Sequence, residues 1–379
     1  MELGQYYTPK KFSTLLIENM LSSKADCVLD IGCGRASLLE AARGRWSKAK
    51  LIGYDIDPIN YNLKGMNLHI GFGDGLDPSL SNKILDNFGN IDISVANPPY
   101  TNVDVSKDIT RILKLADMYE CIPRNTKTLP AEIIFLAQNL LVLKREGELG
   151  AILPASLISG EKWKGLREFL ITEKSIDKVI QLPSKAFTKT EAATFAVNFT
   201  NKKTNNNAIN LLSFDDNETL KINDKSGIKR LDYFYHAHSF SSNRNPIPEN
   251  TILFRGNKSS KNLRLGTLDF IHTSDLKDAF QTLSFSYSKY PQGTKTARRG
   301  DFVVSRVGSR CIGKAAYISE GEVEVSDCIA VLRNFDKKRY MPLFTSNKFL
   351  EKTLYDALGT GAKYLTFNII KEALESYEL

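Results

Sequence analysis

Four apolar runs in the first hundred residues each lead into a single acid or amide. These are Asp30 after 27–29, Asp55 after 51–54, Asp74 after 67–72 and Asn97 after 91–96, spaced 25, 19 and 23 residues apart. Each interval is the length of one strand plus its return. Helix-like stretches at 36–46 and near 78–88 fill two of the intervals. The alternation continues with an amphipathic segment at 12–24, a strong helix pattern at 131–145, and further runs at 147–158, 163–173, 176–183 and 194–199. Strands separated by helices pair in parallel, so this half predicts a doubly wound α/β sheet. In such a sheet ligands sit at the carboxyl ends of the strands. Asp30, Asp55, Asp74 and Asn97 are then expected along one rim.

The residues on that rim suggest chemistry. Asp30-Ile31-Gly32-Cys33-Gly34 joins the first strand to a helix, and glycines there let the backbone turn tightly around a ligand. An acid about 20 residues beyond such a turn is placed to accept the ribose hydroxyls of an adenosyl group, which suits Asp55. Arg35, Ala36 and Ser37 follow Gly34, so the full dinucleotide fingerprint is missing and NAD is disfavoured. Asn97-Pro98-Pro99-Tyr100 follows the fourth apolar run. Two prolines remove two backbone donors and stiffen the loop. The Asn97 amide oxygen and the Pro98 carbonyl remain as two acceptors suited to one exocyclic NH2 group. Accepting both of its hydrogens localises the nitrogen lone pair for attack, and Tyr100 can stack on the ring that bears it.

With these motifs the chain resembles the amino-group DNA methyltransferases of the gamma class, TaqI type, which methylate adenine N6. The resemblance implies an S-adenosylmethionine-dependent methyltransferase domain at 1–205 and a mixed α+β target recognition domain at 206–379. It implies that Thr8, in Gly4-Gln5-Tyr6-Tyr7-Thr8-Pro9, contacts the methionine part of S-adenosylmethionine. Asp30, Ile31, Gly32 and Cys33 match the methionine-binding turn, Asp55 the ribose acid, Asp74 the acid facing the cofactor's adenine amine, and Pro99 a packing surface for that adenine. Asn97, Pro98 and Tyr100 take the catalytic roles, with Phe187 as a second aromatic against a flipped base. Two departures stand out. Gly75 follows Asp74 where some relatives carry an aromatic, and Thr190 stands where the TaqI type has a lysine.

Charge divides the chain. Residues 1–200 hold 24 Lys+Arg against 23 Asp+Glu, whereas 201–379 hold 27 against 20, and 255–314 alone carry 12 basic residues and four acids. A basic half beside a neutral half fits one domain for chemistry and one for holding a polyanion. Arg298, Arg299, Arg306 and Arg310 surround one apolar run and are the expected DNA contacts, with Arg306 and Arg310 as base readers. The polar stretch 201–207 marks the expected domain boundary, and 101–130 reads as a long DNA-contacting loop that orders on binding. His236 and His238 lack a third ligand at useful spacing, so no metal is expected. Five scattered cysteines without a CxxC pair, no apolar run long enough for a bilayer and no signal-like start point to a reduced cytoplasmic protein. The expected activity is N6-adenine methylation of double-stranded DNA beside a separate cognate restriction endonuclease. RNA adenine, cytosine N4 and a protein glutamine amide are the rival targets, and a non-catalytic DNA-binding subunit is the rival from another class.

Overall fold

The computed structural model describes the chain except residues 1–7, 58–66, 184–185, 188–192, 204–207, 238–245, 360–361 and 377–379. It forms two compact units, Met1–Tyr233 and Phe234–Leu379.

In the first unit α1 (Lys10–Glu18) leads to β1 (Cys27–Ile31), α2 (Ser37–Arg45), β2 (Lys50–Asp55), β3 (Leu68–Phe72), α3 (Leu80–Phe88) and β4 (Ile91–Ala96). An insertion follows, made of β5 (Asn102–Asp104), α4 (Lys107–Leu115) and β6 (Thr128–Pro130). Next come α5 (Ala131–Val142), β7 (Leu143–Pro154), α6 (Ala155–Ser159), α7 (Lys164–Thr172), β8 (Ser175–Gln181), β9 (Thr194–Thr200), β10 (Ile209–Ser213), β11 (Asp216–Ile222) and α8 (Asp224–Lys229). Nine strands form one sheet in the order β11-β10-β8-β9-β7-β4-β1-β2-β3. β1 pairs in parallel with both β2 and β4, β4 with β7, and β8 with β10, while β9 runs antiparallel to both β7 and β8. The central strands are buried on both faces, which explains their unbroken apolar runs. α1 and α2 cover a core that includes Phe12, Leu16, Val28, Val95 and Ile152. α5 packs on β4 and β7 and carries α3 and α4. All but one of its twelve residues are buried, as befits a helix wrapped on every side.

Two expectations are corrected here. The insertion is folded, not a structureless loop. β5 and β6 form a ribbon, and Ser106 Oγ caps α4 by accepting from Ile109 N at 3.1 Å. Ile109, Ile112 and Leu113, at helical spacing among charges, bury the inner face of α4. The boundary also falls between Tyr233 and Phe234 rather than at 205/206. β10 pairs in parallel with β8 and buries Ile209 and Leu211, so the polar stretch before it is a connection within the sheet.

The second unit opens on α9 (Tyr233–Ala237), whose first residue belongs to the first unit. It continues through β12 (Ile252–Arg255), α10 (Ser260–Leu263), β13 (Phe270–Ile271), β14 (Phe280–Ser284), β15 (Thr296–Arg298), β16 (Phe302–Ser305), β17 (Ala315–Glu320), β18 (Glu322–Val325) and β19 (Ile329–Arg333). α11 (Lys337–Thr345), α12 (Lys348–Asp356) and α13 (Phe367–Glu375) close it. A five-stranded sheet β12-β19-β16-β17-β14 shares one core with Ile271, Ala297, Val323 and Val325 of a three-stranded sheet β13-β18-β15. Its other core packs Phe302 and Val304 against α11, α12 and α13. No helix among the described residues is long and apolar enough to cross a membrane.

Candidate active site

Strand order reverses between β1 and β4, with β2 and β3 on one side and β7 on the other. That reversal opens a crevice at the carboxyl ends. Asp30 is the penultimate residue of β1, Asp55 ends β2, Asp74 lies two residues beyond β3, and Asn97 is the first beyond β4. All four lie at the carboxyl edge of the sheet, as the spacing predicts.

The first turn is tied to the end of β2. Gly32 N and Cys33 N donate to the Tyr54 carbonyl at 2.7 and 3.2 Å, and Gly34 N donates to Asp55 Oδ2 at 2.7 Å. Asp57 N donates to Asp55 Oδ1 at 2.9 Å. These bonds orient the Asp55 carboxylate and leave lone pairs for further donors, since each carboxylate can accept about four. Ile31 and Cys33 point their side chains into the protein, so they offer only backbone. Burial, then Asp30 and Asp55, push the Cys33 thiol up and keep it protonated.

Asp30 is 1% exposed, and its Oδ1 has no hydrogen-bond partner among the described residues. Burial first, and the nearby Asp55 second, raise its carboxyl well above the usual carboxylate range. A buried acid without a donor is costly, and a cationic group in the crevice would relieve it.

The Asn97 amide is oriented from both ends. Its Nδ2 donates to Thr8 Oγ1 at 3.0 Å, and the Tyr100 hydroxyl donates to its Oδ1 at 3.3 Å. The structure therefore brings Thr8 to the Asn97 motif. Pro98 is buried, and Pro99 and Tyr100 are half-buried. The loop is anchored beyond Tyr100, where Ala131 N donates to the Thr101 carbonyl at 2.8 Å.

α5 supplies what sequence reasoning missed. Gly32 has φ +80°, and a Cβ there would lie 3.0 Å from the Phe135 ring. A Cβ on Gly75 would come within 2.4 Å of the same ring. Phe135 thus occupies the space left by the glycine after Asp74, from a different element. Gln138 Nε2 donates to the carbonyls of Gly75 (3.2 Å) and Asp77 (2.7 Å), and Asp74 Oδ1 accepts from Leu76 N at 2.9 Å. Ile56, beside Asp55, is 45% exposed, unusual for an aliphatic at a strand end. In sequence Phe135 is one apolar residue in an apolar helix. The pair of ring-accommodating glycines was the only signal.

Two expected site residues are placed elsewhere. Phe187 is 3% exposed and packs in the α1–α2 core, its ring 5.9 Å from that of Phe12, so it presents no face to a flipped base. Thr190 and Gln5 to Tyr7 lie outside the described residues. In the second unit Arg306 is an internal clamp instead of a base reader. Its Nη1 and Nη2 donate to the carbonyls of Asp327 (3.3 Å) and Leu365 (3.0 Å), and its guanidinium lies 5.3 Å from the centre of the Phe367 ring. Burial, reinforced by Arg255, lowers its pKa. Arg298, Arg299 and Arg310 are exposed. His236 lies on α9 and not on a strand, and His238 is outside the described residues. Among the described residues no cluster of His, Cys, Asp and Glu could hold a metal ion.

The sheet order and the crevice together define an S-adenosylmethionine-dependent methyltransferase fold joined to a second, mixed unit. The chain belongs to the N-6 DNA methylase family, which matches residues 1–238. It is similar to the methylase subunit of the type I restriction enzyme MpnII of Mycoplasma pneumoniae. That protein is 29% identical over 215 residues, covering 50% of this chain and 39% of its own. The type II methyltransferase M.HincII of Haemophilus influenzae is 25% identical over 247 residues, covering 64% of this chain and 45% of its own. The match thus spans less than half the length of these curated relatives. Among solved structures, the type IIG restriction endonuclease BpuSI resembles the chain in fold, with a TM-score of 0.50 and 14% identity over 97% of this chain and 58% of that one.

Proposed function

We propose that the chain is a gamma-class DNA methyltransferase that uses S-adenosylmethionine to methylate the N6 amino group of a flipped-out adenine in duplex DNA, within a restriction–modification system. The observation that carries this reading is the Asn97 amide, held between Thr8 and Tyr100 at the same strand edge as the Asp30 and Asp55 carboxylates. The unpartnered Asp30 oxygen suits the ammonium of a methionine moiety, and Asp55 retains lone pairs for ribose hydroxyls. Ile56, Pro99 and Phe135 supply apolar surface for an adenine ring, with Asp74 at its polar edge. S-adenosylmethionine supplies an electrophilic methyl group. Asn97 Oδ1 and the Pro98 carbonyl accept the two hydrogens of the target amine, which draws its nitrogen toward tetrahedral geometry and frees its lone pair. Tyr100 stacks on the base. Extruding a base costs roughly a few kcal/mol, and contacts from the basic second unit offset it. In this reading the second unit recognises the DNA site, and any cognate nuclease acts separately.

The test is expression of the full chain and its Asn97→Ala variant in a host without DNA methylation, followed by modification-sensitive genome sequencing. N6-methyladenine at one sequence motif, absent with the variant, is the expected result. Methylated cytosine, or no mark at all, refutes the reading.

A further inference from the structure

Between β14 and β15 the chain makes an excursion, 285–295, that is tied down along its length. Phe285 N donates to the Glu320 carbonyl at 3.0 Å, and Val325 N donates to the Lys295 carbonyl at 3.0 Å. Midway, the Tyr290 hydroxyl reaches the carbonyls of Asp269 and Glu322 at 3.4 and 3.3 Å. A turn at 291–294 is closed by Thr294 N on the Pro291 carbonyl, with Gly293 at φ +84°. From this braced segment Tyr287 stands out 69% exposed. Lys289, Lys295, Arg298 and Arg299 of the same stretch are exposed, and 285–300 itself contains no acid.

An aromatic that buries so little of its ring adds little to the fold, and a braced loop loses little entropy on binding. Four exposed cations, one of them (Arg298) opposite Glu322 across the strand pair, match a phosphate backbone. We propose that Tyr287 is a groove contact for duplex DNA, its ring packing on sugars and base edges while Lys289, Arg298 and Arg299 hold the flanking phosphates. This rests on the DNA-methylating function proposed above.

The test uses the full chain. The genomic methylation motif of the wild type defines a fluorescein-labelled 30-base-pair duplex, and affinities are read by anisotropy between 50 and 200 mM salt. Tyr287→Ala is expected to weaken binding about 10-fold and Tyr287→Phe less than about 2-fold. Both should bind S-adenosylmethionine as the wild type does, by calorimetry. Combined Lys289→Ala, Arg298→Ala and Arg299→Ala changes should flatten the log–log salt dependence by about three units. Wild-type affinity in Tyr287→Ala, an equal loss in Tyr287→Phe, or an unchanged salt slope overturns the proposal while the function stands. A wild type that leaves the genome unmethylated, or that prefers an RNA hairpin to the duplex, removes the function and the proposal with it.

Discussion

Glu132→Gln should stabilise the first unit at neutral pH and leave it nearly unchanged in acid. Glu132 opens α5, is 3% exposed, and its Oε2 has no hydrogen-bond partner among the described residues. Burial raises its carboxyl from 4.5 to about 7. The folded pKa lies above the unfolded one, so the group is neutral in both states below about pH 4.5. Between about 4.5 and 7 the unfolded chain releases the proton while the folded one keeps it, and stability falls as pH rises. Above about 7 the folded carboxyl is ionised too, and the loss stays constant at roughly 3 kcal/mol. Glutamine cannot ionise and keeps the same length, so the variant escapes that loss. Both tryptophans, Trp46 and Trp163, lie buried in the first unit, so their fluorescence during urea unfolding reports on that unit alone. The stability difference between variant and wild type should be near zero at pH 4.5 and approach roughly 3 kcal/mol at pH 8. Equal differences at both pH values would refute the buried carboxyl as their source.

Thr8→Val removes the oxygen that accepts from Asn97 Nδ2. Turnover should fall about 10-fold, worth about 1.4 kcal/mol, and recover in Thr8→Ser; steady-state methyl transfer separates kcat from the KM for cofactor. Asp55→Ala takes an acceptor from Gly34 N and Asp57 N as well as from any ribose, and charge-assisted bonds are worth about 1.5–3 kcal/mol each. Calorimetry should show S-adenosylmethionine binding weakened at least about 10-fold, and an unchanged affinity would remove Asp55 from the site. Arg306→Ala should destabilise the second unit by roughly 2–3 kcal/mol through the orphaned Leu365 and Asp327 carbonyls, whereas Arg298→Ala should leave its thermal unfolding unchanged.

The sheet and its carboxyl edge were legible because strand burial and strand spacing are local, periodic properties. Asp30, Asp55, Asp74 and Asn97 each follow their own apolar run, and the crevice arises from those runs lying side by side. What was not legible depends on which residues meet across the sequence. Phe187 is one phenylalanine in a polar segment before a strand, and Phe135 one in an apolar helix. Only the packing shows the first against Phe12 and the second against Gly32 and Gly75. Arg306 and Arg298 are equally basic in sequence, yet the carbonyls of Asp327 and Leu365 capture one and solvent takes the other. The 201–207 stretch reads as a boundary because polarity marks any surface connection, whether between units or within a sheet.

The contacts of α5 make it more than a cover for the sheet. Ala131 N holds the loop beyond Tyr100, Phe135 fills the space beside Gly32 and Gly75, and Gln138 fixes the carbonyls of Gly75 and Asp77. Asn139 accepts from Ser94 Oγ on β4 and donates to the Phe135 carbonyl, anchoring the helix to the strand that leads into Asn97. One buried helix therefore braces the loops assigned to cofactor and to target base. On the function proposed above, α5 thus touches both the turn at Gly32 and the loop that presents Asn97. If that shared helix couples the two sites, the coupling is reciprocal: calorimetry should show S-adenosylmethionine raising DNA affinity by the same factor by which DNA raises S-adenosylmethionine affinity, and independent affinities would refute α5 as a link.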